Sequence, residues 1–462
     1  MRLSTGLLFS FAAQFSLANP YWNPSEVPQD SAYSVTSSAE FDVDHLKTIT
    51  QENKIQALRI QVDWQQITDN YSVSTMIIEP SGTTALLARS KNKPKWGSYL
   101  GVLKDAGSGK EIFYDSVGTG KEYRSLARAI SLRFPVPGSD MIFELYAENP
   151  QTGHMEKVVE KNIKISELTV ESRVFNDLQV KELRVAPVSP VLRVNIYAEG
   201  YTSNTINRFW QQANKVVATL VDNSFPGVEH MSFYAVFNPS VKQLGEARAL
   251  GFPVPEFDSF LGLYYPYWDN FGRWFNVVYP TRENKFRQAL ASAPYDYPIV
   301  VINNSEYWGV GNYMSHTAIP AKSPYFTYLL LHELGHFFGL NEEYEGGGRT
   351  ELEFAPEMEE PWSANITFLT DRTYLGLRWS EFVNKAVKIP TPPDDWKNSP
   401  AVYGAYRGGY ADSISVKGAS HKPGLNCIME SHKNFCDICK KGILDVVHYS
   451  LGMHSFKDVS LK

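Results

Sequence analysis

Residues 332–336 read His332-Glu333-Leu334-Gly335-His336, with Tyr328-Leu329-Leu330-Leu331 before them and Phe337-Phe338 after. The apolar flanks predict a buried helix, and on a helix residues four apart share a face. His332 and His336 can then offer two imidazoles to one Zn²⁺ ion, and near neutral pH the neutral ring is a good zinc donor at little cost. Glu333 sits beside the first donor, off the metal, where it can take a proton from an attacking water. Burying two imidazoles and a carboxylate among Leu and Phe without a cation would be costly. Gly339 lets the helix end and the chain reverse. The carboxylate that follows, Glu342, is the expected third ligand, with Glu343 as its rival. One catalytic zinc ion is therefore expected, with a fourth position left for water.

Outward from this helix, the segment from about residue 185 to the end alternates strand-like and helix-like runs. Residues 192–197, 231–236 and 297–303 read as strands, and residues 202–221 read as a helix capped by Thr205 or Asn207. Such alternation predicts an α/β or α+β arrangement over residues 185–462. Residues 170–190 read as a linker and domain entry.

The preceding part differs in character. Residues 57–64 and 130–134 alternate apolar and polar side chains, the mark of half-buried strands, and residues 74–78 and 141–147 are further strand candidates. Turn chemistry separates them at Pro80-Ser81-Gly82, Ala106-Gly107-Ser108-Gly109 and Val136-Pro137-Gly138-Ser139. An antiparallel β-sandwich over residues 19–175 is expected, with no catalytic constellation in it.

At the start, Arg2 precedes a mostly apolar stretch at 7–15 and the small-x-small pattern Ser16-Leu17-Ala18. Residues 1–18 read as a signal peptide, so the mature chain is expected to start at Asn19 in the periplasm or outside the cell. No later stretch offers the ~18–20 apolar residues of a membrane helix. The 462 residues are 43% hydrophobic and 20% charged, an ordinary globular balance. A formal charge of -6 without a long basic run gives a nucleic-acid partner no electrostatic support. The three cysteines, Cys427, Cys436 and Cys439, lie close together. In an oxidising compartment a disulfide pinning the nearby turn is the favoured reading, although Cys436-x-x-Cys439 with Cys427 and His432 also has the composition of a second, structural zinc site.

Residues 336–342 extend the helix motif to His-Glu-x-x-His-x-x-Gly-x-x-ligand, the metzincin pattern with Glu342 where His is usual. Asn426-Cys427-Ile428-Met429-Glu430 fits the Met-containing turn that such enzymes carry beneath the metal. Further motifs are Ala198-Glu199-Gly200-Tyr201-Thr202, Ile302-Asn303-Asn304-Ser305, Trp308-Gly309-Val310-Gly311, Glu342-Glu343-Tyr344 and Phe435-Cys436-x-x-Cys439. Together they resemble the bacterial IgA-peptidase type of zinc metallopeptidase over nearly the whole mature chain. Members commonly carry Asp-Glu-Tyr at Glu342-Glu343-Tyr344, with a loop one residue longer. The resemblance implies a metzincin-like catalytic domain after an N-terminal sandwich, one zinc, and endopeptidase action on a protein or peptide. It also implies a cleft-edge strand at 299–303 where substrate adds as another strand, and a place for Tyr344 at the oxyanion. Two other functions compete: an exported binding or adhesion module on a degenerate peptidase fold, and a zinc amidase acting on cell-wall peptides.

Overall fold

The structure, a computed structural model, describes residues 55–65, 69–118, 129–149, 152–241, 259–264, 267–268, 274–275, 278–280, 282–305, 309–344, 360–368, 376–398, 402–409, 420–431 and 434–453. The expected signal peptide at 1–18, the expected mature start at Asn19, Trp308 and His432 lie outside the described residues. The chain is a mixed α+β protein.

The first part contains β1 (Ala57–Gln65), β2 (Asn70–Glu79), the short helix α1 (Thr84–Arg89), β3 (Tyr99–Asp105), β4 (Glu111–Val117), β5 (Ala129–Pro135), β6 (Met141–Glu148), β7 (Met155–Ile163) and β8 (Thr169–Val170). They make two four-stranded sheets, ordered β5-β1-β2-β8 and β4-β3-β6-β7. All pairings are antiparallel except β2 with β8. Leu58, Ile60, Val62, Leu132 and Phe134 of the first sheet share one core with Tyr99, Leu103, Phe143 and Leu145 of the second. All four strand candidates form, each longer than its motif. The strand β7 was not expected, because MEKVVEKNI lacks clean alternation; it is a charged edge strand, which discourages pairing with other chains.

The expectation of half-buried alternation in β1 needs correction. Its first six residues are all buried, because its second face is covered as well. There Arg59 pairs with Glu79 and donates to Asn284 Oδ1 at 2.7 Å. Arg133 donates to the Tyr295 carbonyl at 3.0 Å and lies over the Tyr295 ring. Asp296 is a second anchor across this contact. It meets Thr83 and the Arg89 guanidinium, and its Oδ2 accepts from Arg193 N at 2.9 Å. Thr83 also caps α1, accepting from Leu86 N at 3.0 Å. Thr83→Ala removes a cap and a buried bond together. It is expected to cost about 1–2 kcal/mol, read as a lower denaturant midpoint.

The second part is built on β9 (Gln179–Arg184), β10 (Leu192–Glu199), α2 (Ile206–Asp222), β11 (Met231–Phe237), α3 (Glu283–Leu290), β12 (Tyr297–Ile302), β13 (Val310–Asn312), β14 (His316–Pro320), α4 (Phe326–Phe337) and α5 (Asp437–Ser450). A six-stranded sheet runs β13-β14-β12-β10-β11-β9. The four inner strands are parallel and the two edge strands antiparallel. Parallel strands covered on both faces read as continuous apolar runs. In β12, Ile299 and Val301 face the core that holds α2, α4 and α5, while Val300 and Ile302 face the core under α3.

Three expectations change here. The stretch read as a linker contains β9, an edge strand of the six-stranded sheet, paired to β11. The helix expected from residue 202 opens with a 3₁₀ turn, Ser203–Thr205, and Thr205 Oγ1 caps backward onto Thr202 N at 2.9 Å. The strand at 297–302 is central, flanked by β10 and β14, so it is no cleft edge. The edge on the side of α4 is β13, whose Gly311 reaches the helix.

Candidate metal centre

Helix α4 ends in a Schellman motif: Gly339 takes φ +85°, its N–H donates to the His336 carbonyl at 2.9 Å, and Leu340 N donates to the Gly335 carbonyl at 2.9 Å. Only a residue free of Cβ strain holds that left-handed turn cheaply. The reversal brings residues 340–343 back alongside the helix they have just left.

The turn places Glu342 beside both histidines. Glu342 Oε1 is 3.0 Å from His336 Nε2, Oε2 is 3.2 Å from His332 Nε2, and the two Nε2 atoms are 3.2 Å apart. Each ring is aimed from behind by a backbone carbonyl on Nδ1: Ile428 at 2.9 Å for His332, Leu340 at 3.0 Å for His336. With Nδ1 carrying the proton, both Nε2 lone pairs face the carboxylate. Three acceptors at that spacing repel one another unless a proton or metal ion lies between them. Carbonyls orienting metal-binding imidazoles are the usual outer support of such ions. The donor set of two imidazoles and a carboxylate therefore fits Zn²⁺.

The electrostatics point the same way. Burial opposes charge on His336, but the Glu342 carboxylate outweighs it and raises the imidazole to about 9. Burial alone would raise Glu342, yet His336 and His332 hold it well below the usual carboxylate range. The centre favours positive charge strongly.

Glu333 points elsewhere. Its carboxylate lies against Gly309 and accepts from the Gly311 N–H of β13. Burial raises its pKa, and the two histidines oppose the rise only in part. A carboxylate so tuned is a better proton acceptor than an exposed one. The Tyr344 ring stacks on His332, with centroids 6.5 Å apart and planes at 12°.

The rival third ligand is turned away. Glu343 faces Cys427, Cys436 and Cys439. The cysteines are free thiols, so the favoured disulfide is not formed. Among the described residues Glu343 is the fourth donor of their cluster, a role that the sequence did not suggest.

Met429 is fully buried and packs against Gly335 of α4. A Cβ on Gly335 would come within 2.4 Å of its Sδ. Gly335→Ala gains helix propensity but overpacks this contact, so a net loss of about 1–3 kcal/mol is expected, read as a lower melting temperature.

Sequence reasoning missed Asn365. It holds the Asn341 backbone at both ends, donating to its carbonyl at 2.8 Å and accepting from its N–H at 2.9 Å, and donates to Glu343 Oε1 at 3.0 Å. A lone Asn 24 positions away carries no periodicity or motif that would reveal this splint. Two of the other motifs prove to be braces. Glu199 accepts from Ser259, Leu261 N and Leu263 N, and Asn303 donates to the Gly200 carbonyl.

Residues 180–399 and 397–447 match the family model described as IgA Peptidase M64. No curated protein matches the chain. The family match starts at β9, so the part built from β1 to β8 lies outside it, whereas the resemblance was expected over nearly the whole mature chain.

Proposed function

The chain belongs to the IgA peptidase M64 family of metallopeptidases, and from that premise we propose that it is an exported zinc-dependent endopeptidase. The observation that carries the proposal is the convergence of His332, His336 and Glu342 within 3.2 Å of one another, with Glu333 on the same helix. A zinc ion bound there supplies Lewis acidity to the scissile carbonyl and makes a water easier to deprotonate. His332, His336 and Glu342 hold it. Glu333 takes the proton of the attacking water and returns it to the leaving amine. Tyr344, beside His332, steadies the developing oxyanion.

The fold reading accompanies this one. The two sheets of β1 to β8 form a β-sandwich within a domain bounded by residues 19 and 175, residues 185–462 make a metzincin-like catalytic domain, and residues 1–18 are a cleaved signal. The edge strand β13 packs along α4 and is bonded to Glu333. The family name does not carry immunoglobulin to this chain as its substrate. Peptide-library digestion by the mature chain tests the proposal. Cuts at internal bonds that stop with a chelator and return with Zn²⁺ are expected; chelator-resistant cleavage, or none on any peptide, refutes it.

A further inference from the structure

A second cluster of donors lies behind the first. Cys427 stands in the Met-containing turn, Cys436 caps α5 and Cys439 lies in its first turn, and Glu343 comes from the loop that also carries Glu342. One donor atom from each lies within 4.8 Å of all the others. Cys427 Sγ and Cys439 Sγ are 3.6 Å apart, and Cys439 Sγ is 3.0 Å from Glu343 Oε1.

That spacing discriminates. A disulfide needs about 2.05 Å between sulfurs. Two thiolates on one tetrahedral zinc, each about 2.3 Å from it, stand about 3.8 Å apart. The observed 3.6 Å is close to that edge.

The carboxylate gives an independent sign. Glu343 is 0% exposed, and its Oε2 has no hydrogen-bond partner. Oε1 accepts from Asn365 and Cys439. The nearby cation, Lys422, donates instead to the Glu343 carbonyl and to Glu430. A buried carboxylate facing three sulfurs, with one oxygen unmet, lacks only a cation. A disulfide between any two of these cysteines would leave the third outside the bond and Glu343 Oε2 still unmet.

We propose that Cys427, Cys436, Cys439 and Glu343 bind a second, structural Zn²⁺ ion. Its four ligands close the tetrahedron, as structural sites do, so no position is left for water. Binding releases the thiol protons. The site ties together three pieces that position the catalytic donors. Glu343 adjoins Glu342. Cys427 adjoins Ile428, whose carbonyl aims His332. Glu343 N donates to the Met429 carbonyl at 3.0 Å. The second ion is thus a positioning element for the first centre and takes no part in chemistry.

Metal analysis of the full mature chain, purified without chelator, tests this. Two zinc ions per chain are expected, falling to one in His332→Ala with His336→Ala, and to one in Cys439→Ser. Should Cys439→Ser fail to fold, two measurements on the intact chain remain. Reconstitution with Co²⁺ should give thiolate-to-cobalt charge-transfer absorption that survives in the double histidine variant. Thiol titration in denaturant with chelator should find three reactive cysteines. One zinc per chain with a single reactive thiol, or cobalt spectra without thiolate bands, overturns the proposal. Loss of zinc from the histidine centre alone leaves it standing.

Discussion

Glu333→Gln is expected to keep the metal donors intact and to slow peptide hydrolysis about 10²–10⁴-fold. Glutamine matches the shape of glutamate and can still accept from the Gly311 N–H. It cannot take a proton. The carboxylate is buried and its pKa is raised, so at neutral pH it is a proton acceptor better matched to an activated water than an exposed Glu would be. The loss amounts to about 3–5 kcal/mol of transition-state stabilisation. Because Glu333 touches neither Nε2 atom, the effect should fall on kcat rather than KM, with zinc content unchanged. Measurement of kcat, KM and metal content on one preparation checks all three. Activity within tenfold of the parent would mean that another group moves the proton.

The helix that carries this chemistry was readable because its requirements are local. Two histidines four apart need only a helix to meet, and Gly339 announces where that helix must end. That Glu342 comes back beside the two histidines was readable for the same reason, since a short turn leaves few residues able to return to the helix. What escaped were contacts set by distant parts of the chain. The cysteines suggested a disulfide by compartment and count, but the nearest partner of Cys439 includes a glutamate 96 positions away. Asn365 splints the loop with no local pattern to mark it. The fold behaved likewise. Apolar strands such as β10 and β12 were legible, whereas β7, charged, and β9, short and polar, became strands only because a neighbour offered an open edge. The strand β12 was misplaced at the cleft because sequence order does not give sheet order; the edge went to β13, only three residues long.

Glu342→Ala is expected to remove most metal affinity at the histidine centre and, with it, hydrolysis. The carboxylate is the only negative charge that meets both Nε2 atoms among the described residues. Without it, two neutral imidazoles must hold a dication in a buried place. Binding to the folded state alone stabilises it, by about 4 kcal/mol when free metal exceeds Kd a thousandfold. Wild-type protein should therefore gain that much as zinc is added at this centre, and the variant should gain little. Glu343→Ala is the informative partner, since it faces the cysteines and should spare zinc at His332 and His336. Thermal melting across a zinc titration, with metal content of each variant, separates the two carboxylates. If Glu342→Ala melted and cleaved like the parent while Glu343→Ala lost its histidine-bound metal, the geometry at Gly339 would be feeding the wrong residue to the centre.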